Sequence, residues 1–153
     1  MWKSSRPLPD VENAIQLDTS IDETTRKQLT NARRGQGIFR VRVLQIEPIC
    51  RITGIEKPTL LRASHIKPWR ICDTAHERLD GFNGLMLAPH VDFLFDRGLI
   101  CFEDDGRAIF SSRLADADAR KLGLHQMERP PQRPFHGESN SYFQHHRTNV
   151  FLN

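Results

Sequence analysis

Cysteine is scarce in this chain: there are three, Cys50, Cys72 and Cys101, in 153 residues. An odd number, widely spaced, excludes a disulfide framework and a CxxC zinc pair. A reducing, cytoplasmic compartment is the expected setting. Long apolar runs are also missing, and no stretch approaches the roughly 20 residues that cross a bilayer. The opening MWKSSRPLPD has no apolar h-region, so no secretory signal is expected. There are no internal repeats and no low-complexity tracts. What remains is ordinary for a soluble globular chain, with 38% hydrophobic and 27% charged residues. The length suits one modest core.

Charge is distributed unevenly. The formal net charge is +3, but residues 31–78 hold ten Lys/Arg against four Asp/Glu, and residues 79–121 hold five against eight. A basic face beside an acidic pocket suits a polyanion partner, although charge alone favours the plainer reading of a solvated surface.

Residues 1–18 carry prolines and mixed charge without a sustained period and read as a lead-in. Ser20 and Glu23 form a capping-box pattern. Ile21, Thr25, Leu29 and Ala32 follow at helical spacing, which predicts a helix over 21–34 stopped by Gly35. Residues 38–46 fit a helix face or an alternating strand equally well. Residues 60–66 form a short apolar run that must end at Lys67-Pro68. An Asn83-Gly84 turn is expected after a polar loop over 70–82, and 85–87 reads as a second short strand. Pro89 suits the first turn of a helix with Val91, Leu94 and Phe95 inward and Gly98 as terminator. A hairpin is expected over 99–110 around Asp104-Asp105-Gly106. A short helix over 114–122, a loop over 128–141 and a last helix over 142–152 complete the pattern.

The densest chemistry lies in the order His65, Asn83, His90. Hydrolysis of a phosphodiester needs an activated water and charge stabilisation at phosphorus, which one His and one metal can supply. His65 suits the base because an imidazole titrates near neutrality. His90 and Asp92 open the predicted helix, with Asp96 one turn on, and such positions can present N and O ligands from a rigid element. Each residue alone has a duller explanation: a loop hydrogen-bonder, a turn former or a helix-terminus charge. Their order on strand, turn and helix is what points to a site.

The segments GQGIFR (35–40), CRITG (50–54), LLRASHIKPW (60–69), NGLML (83–87) and PHVDFLFDRGLICF (89–102) closely resemble the HNH endonuclease family, in the branch found among restriction endonucleases. HHRTNVF (145–151) resembles the end of such domains. The resemblance implies an α+β fold with a ββα-metal (His-Me finger) core, flanking helices and an extra β-hairpin. Residues 1–34 would be a lead-in and helix, and 35–153 the nuclease domain with its core motif over 50–111. It implies His65 as general base, Asn83 as the middle residue that ligates metal or fixes the loop, and His90 as the third motif residue. Two departures leave the metal shell open. Ser64 stands where many relatives carry Asp or His, and His90 and Asp92 stand in an order that others reverse. The shell is therefore drawn from Ser64, Asn83, His90, Asp92 and Asp96. Cys50 matches a lone family cysteine with a packing role.

The implied function is metal-dependent hydrolysis of DNA in restriction or phage defence, with RNA left open as a substrate. Mg²⁺ is the first choice of ion, with Mn²⁺, Ni²⁺ or Zn²⁺ as alternatives. Arg62, Lys67 and Arg70 would take phosphates, which sets affinity without reading sequence. A homodimer would supply the two sites that double-strand cleavage needs, and the small N-terminal segment suits either a fragment of a larger enzyme or a chain that relies on partners. The competing readings are a decayed HNH-like nucleic-acid-binding module, for which Ser64 speaks, and a metal-binding scaffold without nucleic acid.

Overall fold

The computed structural model describes residues 11–124 and 133–153. Contacts divide the chain into Met1–Ile38 and Phe39–Asn153. Within the first unit, α1 (Val11–Leu17) and the start of α2 (Glu23–Ile46) are tied by Gln16 Nε2 donating to Thr30 Oγ1 at 3.0 Å. The Arg26 guanidinium reinforces them by donating to the carbonyls of Ile15, Asp18 and Ile21. The N-cap of α2 is Asp22, whose carboxylate accepts from Thr25 N at 2.8 Å. Ser20 instead bonds Asp18. A carboxylate one residue before the first turn both satisfies an orphan amide and meets the helix dipole, so it displaces the expected capping box.

Helix α2 does not stop at Gly35 but runs through it to Ile46. A glycine inside a helix costs only about 1 kcal/mol. Beyond it, Phe39 and Val43 are 2% and 0% exposed, and burial of two such side chains outweighs that cost. The region ambiguous between helix and strand is therefore helix, because position 39 and position 43 must face one side together.

The second unit carries the ββα element. Strand β1 (Arg62–His65) pairs antiparallel with β2 (Gly84–Leu87), with Ser64 opposite Leu85 and His65 opposite Gly84. Helix α4 (Pro89–Asp96) packs on β1. Pro89 occupies its first turn and buries Val91, Leu94 and Phe95 as expected. Gly98 ends it at φ 74°, where Gly98 N donates to Phe95 O and Leu99 N to Leu94 O, a Schellman arrangement. The hairpin β3 (Ile100–Phe102) and β4 (Ala108–Phe110), with Gly106 at φ 90° in its turn, and helix α5 (Asp116–Lys121) follow the sequence pattern. Helix α6 (Asn140–Asn149) ends the chain's regular structure and packs on β3. The fold is α+β around a ββα core, as expected. No helix among the described residues is long and apolar enough to cross a membrane.

Two local expectations fail. Asn83-Gly84 is not a turn: Asn83 closes a 3₁₀ turn and Gly84 opens β2 in extended geometry at φ −149°. Gly84 is needed for another reason. A Cβ there would lie 2.4 Å from Val43 Cγ2 and 2.6 Å from Phe39 Cζ, so only glycine lets α2 seat against the sheet. The stretch 70–82 is not a plain loop, because it contains 3₁₀ turns and α3 (Ala75–Leu79), capped by Thr74 Oγ1 accepting from Glu77 N. The loop expected over 128–141 lies outside the described residues up to 132, and beyond it the chain is irregular before a 3₁₀ turn at Gly137–Ser139.

Candidate active site

Residues of one strand share a face at every second position. On β1 this sets Arg62 with Ser64. On α4, residues four apart share a face, which sets Asp92 with Asp96. The two elements meet at a cleft of about 350 Å³, walled by Arg62, Ser64, His65, Trp69, Arg70, Asp92 and Asp96, with Ala63 and Pro68 completing it. Six of the nine expected site residues, Arg62, Ser64, His65, Arg70, Asp92 and Asp96, are thus brought together. Asn83 and His90 are not on this wall.

His65 ends β1 half-buried. Its ring stacks on Phe39 with centroids 3.7 Å apart and planes 8° from parallel, and Trp69 meets it edge-on at 5.7 Å. Nε2 lies 2.8 Å from the Arg78 carbonyl oxygen. A carbonyl can only accept, so Nε2 carries the proton and Nδ1 keeps a lone pair. Burial, the larger influence, lowers the ring's pKa, and the bond to Arg78 opposes this. The outcome is a neutral, oriented imidazole at neutral pH.

The carbonyl that orients His65 is itself fixed. The Arg78 side chain donates to the carbonyls of Trp69 and Cys72 at 3.4 and 3.1 Å and lies 5.5 Å above the Trp69 ring. Asn83 is fully buried and clamps the same loop. Its Oδ1 accepts from Lys67 N at 2.8 Å, and its Nδ2 donates to Lys67 O at 3.3 Å and Glu77 O at 3.1 Å. Of the two roles implied for Asn83, this geometry performs loop fixing. Lys67 turns its ammonium to Asp73 and Glu77, at 2.9 and 3.0 Å, and is not on the cleft wall. Those two carboxylates raise its pKa, Asp73 first.

The acidic wall is unusual in its electrostatics. Asp92 is buried, with Oδ2 3.4 Å from Arg62 Nε. Asp96 keeps an exposed flank, yet protein crowded around its carboxyl, and then the charge of Asp92, push its pKa up to about 6. Ser64 and Arg62 oppose the rise. Ser64 is 3% exposed, and its hydroxyl lowers the Asp96 pKa by hydrogen bonding although it completes no bond of good geometry. A buried hydroxyl without such a bond is costly and at this position it faces the cleft. His90 is half-buried and, at 100° per residue, lies about 200° around α4 from Asp92. Among the described residues, no three His, Cys, Asp or Glu side chains gather closely enough to form a complete metal cage. Arg70 is exposed on the cleft rim.

Sequence reasoning missed Phe39, Trp69 and the Arg78 carbonyl. Tryptophan at 69 follows Pro68 closely enough to have been suspected, but nothing local marks Phe39 or a backbone oxygen.

Residues 50–103 match the model of a family described as HNH endonuclease. No curated protein matches the chain.

Proposed function

Residues 50–103 belong to the HNH endonuclease family, and on that premise we propose that the chain hydrolyses phosphodiester bonds in DNA with one divalent cation. The observation that carries this reading is the His65 ring, held by a carbonyl at Nε2 and stacked on Phe39, with Nδ1 open beside a cleft that also holds two carboxylates. A ring so held takes a proton from water at Nδ1 while Nε2 stays engaged. Asn83 and Arg78 act as positioning residues by fixing the loop that aims it. Arg70 on the rim takes backbone phosphate, and Lys67 braces the loop through its ion pairs instead.

The donors fit a hard cation. Asp92, Asp96 and the orphaned Ser64 hydroxyl offer oxygen only, which favours Mg²⁺ or Mn²⁺ over Zn²⁺ or Ni²⁺. When bound there, the cation supplies charge stabilisation at the phosphoryl group and the leaving oxygen. His90 stands outside this shell in our reading, and Asp92 takes the third motif role. The motif's resemblance to the restriction branch supports a role in defence against incoming DNA. A homodimer would pair two sites for double-strand cutting. Three buried, unpaired cysteines suit the reducing cytoplasm.

The test is nicking of supercoiled plasmid in Mg²⁺ or Mn²⁺ against EDTA, with an RNA substrate in parallel. Wild type and His90→Ala should cut DNA only with metal, and Asp92→Asn should not cut. Cutting by Asp92→Asn with loss in His90→Ala would return the ion to His90. The decayed-module reading draws on the absence of a complete ligand cluster among the described residues, and DNA binding without cutting under every metal would establish it.

A further inference from the structure

We propose that Arg62 is the built-in counter-ion of the acidic pocket: its guanidinium holds the place of the divalent cation at Asp92 and turns to the substrate phosphate when that cation enters. The proposal rests on the metal-site reading above.

Three observations carry it. Arg62 Nε stands 3.4 Å from Asp92 Oδ2, and the two side chains are 68% and 13% exposed. The cation side of the pair is thus a solvent-borne arm, while the anion side is fixed in the wall. Arg62 and Ser64 are two residues apart on β1, so both address the same face and the same two carboxylates. Finally, Ser64 Oγ is buried beside Asp96, lowers the pKa of that carboxyl, and completes no hydrogen bond of good geometry, so it offers an oxygen to an ion held by the carboxylates.

Charge balance gives the direction of the exchange. Two carboxylates crowd one another in the wall, and one guanidinium compensates half of that charge. A divalent cation compensates all of it, and Arg62 is then surplus positive charge on the rim of the cleft. An ion pair with one partner largely in solvent is weak, so its release opposes metal binding only modestly. The freed guanidinium matches a phosphate through its planar fork better than a lysine could. Metal and DNA binding are thereby coupled through one side chain, and such coupling must be reciprocal.

Calorimetric titration with Mn²⁺, without DNA, tests the first half on wild type, Arg62→Gln and Asp92→Asn. Arg62→Gln should bind Mn²⁺ about 1.5–5-fold more tightly, the range expected for removing one weak competing ion pair, and Asp92→Asn should lose most binding. Equal or weaker binding by Arg62→Gln, with Asp92→Asn still impaired, overturns the counter-ion and leaves the metal site standing. Unimpaired binding by Asp92→Asn, or no binding by wild type, removes the metal site and this proposal with it. The second half is tested by duplex DNA affinity in a His65→Ala background, with and without Mn²⁺. Mn²⁺ should raise DNA affinity by a larger factor with Arg62 present than with Arg62→Gln. Equal factors would overturn the exchange.

Discussion

Two histidines in this molecule are built alike and stand in opposite surroundings. His65 stacks on Phe39 and donates Nε2–H to the carbonyl of Arg78. His146 stacks on Phe95 with centroids 4.0 Å apart and planes 5° from parallel, and donates Nε2–H to the Phe95 carbonyl at 3.0 Å. The difference is at the other nitrogen. His146 Nδ1 lies 3.2 Å from Cys101 Sγ, whose thiol burial holds protonated with a pKa pushed up to about 11. His65 Nδ1 has no hydrogen-bond partner among the described residues, and the residue lines a cleft. His146, buried with both nitrogens engaged, is a core residue, and His65, half-buried with one nitrogen open, is the one that the proposed function takes as the base. Stacking and a carbonyl bond therefore do not by themselves mark a catalytic histidine.

The largest expected effects separate the two. His65→Ala should lower plasmid cleavage by about 10²–10⁴-fold, the usual contribution of a positioned base, while the melting temperature moves little because the ring is half-exposed. His146→Ala should do the reverse. It leaves a cavity and strands the Phe95 carbonyl, at a cost of about 2–4 kcal/mol, with cleavage near wild type below the melt. Rate and thermal denaturation measured on both variants check this, and a matched loss of rate in both would erase the distinction.

Acid titration sharpens it next. Burial, the larger influence, pulls the His146 pKa down to about 4 from 6.5, against the bond to Phe95. The folded chain refuses a proton that the unfolded chain accepts between those values. The stability this ring contributes is therefore full above pH 6.5 and is lost as pH falls toward 4, by about 3 kcal/mol in all. Chemical denaturation across that window should show a slope that His146→Asn flattens. His65 is lowered in the same direction, so the acid limb of cleavage should fall below the usual imidazole value near 6.5. A limb above it would mean that His65 is not the titrating base.

The smallest effect belongs to Ser64. Its hydroxyl completes no bond of good geometry, so Ser64→Ala should leave stability within about 0.5 kcal/mol of wild type or slightly above it. Affinity for Mn²⁺ should nonetheless fall a few-fold. A marked loss of melting temperature without any change in Mn²⁺ affinity would place the hydroxyl's role in the fold.

Much of this was legible in the sequence where the cause is local. Pro89 and Gly98 bracket α4, and Gly106 and Gly123 mark the turns that end β3 and α5, because dihedral preference acts within a few residues. The reading failed where a distant partner decides. Gly35 looked like a stop, but Phe39 and Val43 beyond it are held by the core. Gly84 looked like half of a turn, yet it is glycine because those same two side chains press on it. Within the candidate site, His65, Asp92 and Asp96 could be named from their places on strand and helix, whereas Ser64 was named only because the resemblance marks its position as one where relatives carry a ligand. The prominence of His90 came from the motif's spelling, which carries no helical phase. Phe39 and the Arg78 carbonyl were invisible, one because it is far upstream and the other because a backbone oxygen has no letter.

The seating of α2 on Gly84 also ties two distant stretches of chain together. Phe39 presses on Gly84 and stacks on the His65 ring, and Gly84 stands opposite His65 across the hairpin. A single methyl group at position 84 would therefore reach the His65 ring through Phe39. A substitution on the neighbouring strand can disturb the candidate site as surely as one within it.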